Sequence, residues 1–99
     1  MKFKDFSFDG KIIDALDKLH YIDMFPIQEK VIPLLYDRQD VIAQSKTGSG
    51  KTAAYLLPII QNTRWDEKEP QALILTPTRE LALQVKEEYD NISIYQRLK

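Results

Sequence analysis

Eight consecutive residues, Ser45-Lys46-Thr47-Gly48-Ser49-Gly50-Lys51-Thr52, have the types and spacing to bind a phosphate chain. They follow the apolar run Val41-Ile42-Ala43 and precede Ala53-Ala54-Tyr55-Leu56-Leu57, which is the order strand, glycine loop, helix. Gly48 and Gly50 permit backbone angles closed to other residues, so the chain can curl with its N–H groups pointing inward. The following helix directs its positive end into the same hollow. Lys51 supplies a mobile cation for the outer phosphates, and Thr52 a hydroxyl for a magnesium ion. The motif usually opens with glycine, and Ser45 stands there instead. A Gly-Ser turn ahead of a helix also arises by chance. Here the closing Gly-Lys-Thr and both flanking runs agree on phosphate binding.

Two further groups could act beside this loop. Gln28 carries both an amide donor and an acceptor, the pairing that grips the exocyclic amine and ring nitrogen of adenine together. The ordinary alternative is a solvated or capping glutamine near a helix start. Thr76-Pro77-Thr78-Arg79-Glu80-Leu81 falls where a strand ends and a helix begins, the place where ligands gather in open α/β sheets. Free N–H groups with Arg79 nearby could hold a nucleic-acid phosphate without reading bases. Alternatively, this is a plain strand–turn–helix joint with solvated charges.

The elements that must position these groups follow from periodicity. Phe3, Phe6 and Phe8 open the chain. Asp9 can cap a helix over about 10–20, with Phe8 and Ile13 stapling its first turn and Ile12, Ile13, Leu16 and Leu19 on one face. Pro26 suits the first position of a second helix, whose buried side is Ile27, Val31, Ile32, Leu34 and Leu35 and which Pro33 interrupts. Segment 41–44 reads as a buried parallel strand, and 72–75 as another. A helix containing Pro58 runs from the loop to about Gln61, and Leu81, Ala82, Val85, Tyr89 and Ile92 mark a further helix over 79–94. Trp65 reads as a surface-packed aromatic with no aromatic neighbour in sequence. The alternation predicts α/β with a parallel sheet.

Composition bounds the chemistry. The chain has 99 residues, 43% hydrophobic and 29% charged, with a formal net charge of −1. No global basic field advertises a polyanion, so any such partner must be held by local groups. The absence of cysteine excludes disulfides and thiolate metal sites and fits a reducing, cytoplasmic setting. The start lacks a signal-peptide core, and no apolar run approaches the roughly 20 residues that span a bilayer. The single His20 has no ligand-spaced partner and reads as a surface or helix-end residue.

Read together, Pro26-Ile27-Gln28, Ala43 to Thr52, and Pro77-Thr78-Arg79-Glu80-Leu81-Ala82 resemble DEAD-box RNA helicases, matching that family's Q motif, motif I and motif Ia in order. The resemblance covers nearly the whole chain, and the Pro-Thr-Arg-Glu-Leu run is its most specific part. It implies a truncated RecA-like phosphate-loop domain with parallel strands and flanking helices, preceded by a helical Q-motif-like segment. Residues 1–38 would form the adenine-recognition segment, and 39–99 the strand–loop–helix and the motif Ia strand–helix. Gln28 would recognise adenine, with Phe3, 17 residues before His20, stacking on the base. Ser45, Lys46, Thr47, Gly48, Ser49, Gly50, Lys51 and Thr52 would hold ATP, with Lys51 and Thr52 in the catalytic roles and Thr52 on Mg²⁺. Pro77, Thr78 and Arg79 would lie along an RNA backbone, independent of sequence.

The chain departs from the family pattern at His20-Tyr21, usually Gly-Phe, and at Met24-Phe25, usually Pro-Thr. The acidic Asp-Glu-Ala-Asp run, the Ser-Ala-Thr run and the second RecA-like domain do not occur in these 99 residues. By itself the chain is therefore expected to be hydrolytically inactive and marginally stable, with 41–44 and 72–75 not bonded directly to each other. The alternatives are a non-catalytic nucleotide- or RNA-binding module, and a different phosphate-loop helicase.

Overall fold

A computed structural model describes residues 1–46, 48 and 50–96. Thr47 and Ser49, both assigned above to ATP binding, lie outside the described residues.

Among the described residues four helices carry the fold, α1 (Gly10–Lys18), α2 (Pro26–Tyr36), α3 (Lys51–Asn62) and α4 (Arg79–Ile92), after a single 3-10 turn at Phe3–Asp5. Asp9 begins α1, its carboxylate accepting from the Lys11 N–H at 3.4 Å. Its own N–H donates to Gln61 Oε1 at 2.8 Å, which ties the start of α1 to the end of α3. Pro26 occupies the first turn of α2. Pro33 does not end that helix, which continues to Tyr36; Glu29, the residue whose carbonyl loses its partner, lies at an exposed position. Pro58 is likewise accommodated inside α3.

Both α1 and α2 end in a Schellman motif. After α1, the Tyr21 N–H donates to the Leu16 carbonyl at 2.9 Å and the His20 N–H to Asp17 at 3.1 Å. After α2, Gln39 donates to Leu34 at 2.9 Å and Arg38 to Leu35 at 3.0 Å. The motif needs a left-handed residue outside the helix, ordinarily glycine. His20 and Arg38 fill those places, each with φ of 62°. His20 is thus a helix-end residue.

The core gathers Ile12 and Leu16 of α1, Ile32 of α2, Leu56, Leu57 and Ile60 of α3, and Ile92 of α4. The stripe on α4 is only half used. Ile92 is buried and Val85 and Tyr89 pack against the core, but Leu81 is exposed. Trp65 does have an aromatic neighbour, supplied by tertiary structure: it stacks on Tyr89 at 6.5 Å with 26° between planes. The N-terminal residues pair with the α1–α2 connection, Phe3 N–H to the Ile22 carbonyl at 2.9 Å and Met24 N–H to the Met1 carbonyl at 2.8 Å.

The expected parallel sheet is not present among the described residues. Neither 41–44 nor 72–75 forms a strand, and no ladder joins them. Ile42 is 98% exposed, Leu73 84% and Leu75 85%. The physical reason is that a strand has no hydrogen bonds of its own; it exists only beside a partner. These segments keep the apolar composition of buried strands without a described neighbour to pair with.

Candidate nucleotide and nucleic-acid site

The loop is entered from segment 41–44 and ends at Gly50, the residue that caps α3, with φ of 90° and ψ of 20°. Gly48 also has positive φ, 82°. The two glycines therefore supply the left-handed angles that the sequence required of them. Lys51 opens α3, and its Nζ donates to the Ser45 carbonyl oxygen at 2.6 Å, folding the side chain back across the loop. Ser45 and Thr52 are half-buried, while Lys46 and Gly48 are exposed.

Gln28 is brought against this loop by the packing of α2 on α3. It is 4% exposed. Its Oε1 accepts from the Phe25 N–H at 2.8 Å, and its Nε2 donates to the Gly50 carbonyl at 3.1 Å. The first bond ties down the start of α2, and the second joins α2 to the phosphate loop. The capping reading of Gln28 is thus correct, and it places the amide at the loop. One N–H of the amide and one lone pair of its oxygen are not used by these bonds. Gly50 is held to glycine by the same contact: a Cβ there would meet Gln28 Nε2 at 2.5 Å and Phe25 Cδ2 at 2.6 Å.

Phe3, assigned above to base stacking, is buried. It is 2% exposed and lies in the core cluster with Ile12, Leu16 and Met24. Its 3-10 turn packs on α1. Phe25 stands beside the loop as well. It is exposed and lies against Gly50 and Gln28. It directly precedes Pro26, three residues from Gln28.

Pro77, Thr78 and Arg79 are exposed together at the start of α4. Thr78 caps that helix, its hydroxyl accepting from the Leu81 N–H at 3.2 Å, and Thr76 Oγ1 donates to the Thr78 carbonyl at 3.0 Å. Arg79 occupies the first helical position, beside the positive end of the helix. A hollow of about 510 Å³ between α2, α3 and the 63–72 connection includes none of Gln28, Lys51 or Arg79. Another hollow, about 310 Å³, reaches Lys51 and has Val31, Val41 and Ala54 on its walls.

The comparison that decides the family is the match of residues 25–99 to the DEAD/DEAH box helicases. The chain belongs to the DEAD/DEAH box helicase family. This DEAD-box chain is 47% identical over 97 residues to the ATP-dependent RNA helicase DbpA of Bacillus subtilis, covering 98% of the chain and 20% of the relative. It is 46% identical over 92 residues to the ATP-dependent RNA helicase CshA of Listeria monocytogenes, covering 93% of the chain and 18% of the relative. It spans about a fifth of the length of these curated relatives. A crystal structure of a DEAD box protein from the hyperthermophile Methanococcus jannaschii superposes with a TM-score of 0.88 at 38% identity, over 93% of this chain and 25% of that one. These likenesses support a RecA-like fold for the DEAD-box chain. Among its described residues no helix is long and apolar enough to cross a membrane.

Proposed function

We propose that this chain is the ATP-binding and RNA-contacting start of an ATP-dependent RNA helicase. In the whole protein, ATP binding and hydrolysis would be coupled to local unwinding of RNA duplexes. The observation that carries this reading is the bond from Gln28 Nε2 to the Gly50 carbonyl, 3.1 Å, which puts an adenine-competent amide against a phosphate-binding loop. Both relatives named above are called ATP-dependent RNA helicases, which supports the same reading.

Lys51 fits the role of phosphate ligand. Its ammonium already bonds a neutral carbonyl oxygen, and a charged phosphate oxygen is the stronger acceptor. We assign the backbone between Ser45 and Thr52 to the triphosphate, including Thr47 and Ser49. Thr52, on the first turn of α3, offers the hydroxyl that would hold Mg²⁺. That ion, when bound, neutralises charge on the transferring phosphate. Pro77, Thr78 and Arg79 would hold RNA through its phosphates, without base readout. The two parts of the chain, 1–38 and 39–99, would divide the work between adenine and phosphates. Expansion of 41–44 and 72–75 into a parallel sheet belongs to the whole domain. Hydrolysis needs a group that orients water, and the Asp-Glu-Ala-Asp run is not in these residues, so the chain alone would bind without turnover. The absence of cysteine favours a cytoplasmic protein.

Titration calorimetry with ATP and GTP tests the site. Lys51→Ala should abolish binding of both. Gln28→Ala should erode the preference for ATP over GTP, and an unchanged ratio would remove Gln28 from base recognition.

A further inference from the structure

We draw no further inference here: the strongest candidate, the exposed apolar surface that Ile42, Leu73 and Leu75 present on segments 41–44 and 72–75, is unpartnered among the described residues, and nothing in the structure shows what covers it.

Discussion

The phenol of Tyr21 donates to Glu88 Oε1 at 3.0 Å, joining the turn after α1 to the middle of α4 across 67 residues of sequence. One end of this link leads through Met24 to Phe25 and Gln28, and the other through α4 to Arg79. A hydrogen bond to a charged acceptor at a half-buried position contributes about 1 kcal/mol. Tyr21→Phe should lower the unfolding free energy by that amount in urea titration. A double-mutant cycle with Glu88→Gln should return a coupling term between the two residues.

The same pair sets a pH dependence. Burial, then the charge of Glu88 and then its hydrogen bond raise the Tyr21 phenol above its ordinary value of 10.0. The folded chain thus holds the phenolic proton more tightly than the unfolded chain. The associated stability is fully present below about pH 10 and drains as pH rises through the raised folded value. Denaturation midpoints should fall above pH 10 in the unaltered chain and less steeply in Tyr21→Phe. Parallel profiles would show that the phenol is not linked to folding.

Gly50→Ala should be among the more damaging single changes near the loop. Alanine at φ of 90° is strained, by roughly 1–2 kcal/mol, and its methyl would displace the Gln28 amide or the Phe25 ring. Loss of stability should be accompanied by loss of ATP binding, read by thermal melting and calorimetry on one sample. Gly48→Ala meets no atom within 4 Å and should show the backbone strain alone.

His20→Gly and Arg38→Gly should each stabilise the chain, by about 1 kcal/mol or less. Both residues take left-handed angles inside Schellman motifs, where glycine has no Cβ penalty. The gain is reduced by the extra freedom of glycine in the unfolded chain. The sites lie at the ends of different helices, so the effects should add. A fall in melting temperature for both would show that their side chains contribute more than the backbone angles cost.

Gln28→Ala should have a second effect besides the change in base preference. It removes the acceptor for the Phe25 N–H and the donor to the Gly50 carbonyl, so about 1–3 kcal/mol of stability should go with it. For that reason the ratio of ATP to GTP affinity, rather than either affinity alone, isolates base recognition.

The local features of the chain were legible from residue type and order. Asp9, Pro26 and Thr78 mark helix starts because short-range caps and fixed φ act within one turn, and α1, α2, α3 and α4 follow within a few residues of their apolar periods. Gly48 and Gly50 announced the loop because only their backbone freedom suits it. The family was legible too, since the motifs that carry it are contiguous runs.

What needed the tertiary structure was every relation between distant segments. Packing on α1 buries Phe3, and Phe25 lies at the loop. Trp65 finds Tyr89, and Tyr21 finds Glu88, only because α4 folds back over the earlier elements. The apolar runs 41–44 and 72–75 fixed a tendency but not a strand, because a strand's hydrogen bonds lie wholly in its neighbours. Short-range backbone and capping energies are written in adjacent residues. Burial and pairing are properties of which surfaces meet, and that is settled only when the chain has closed on itself.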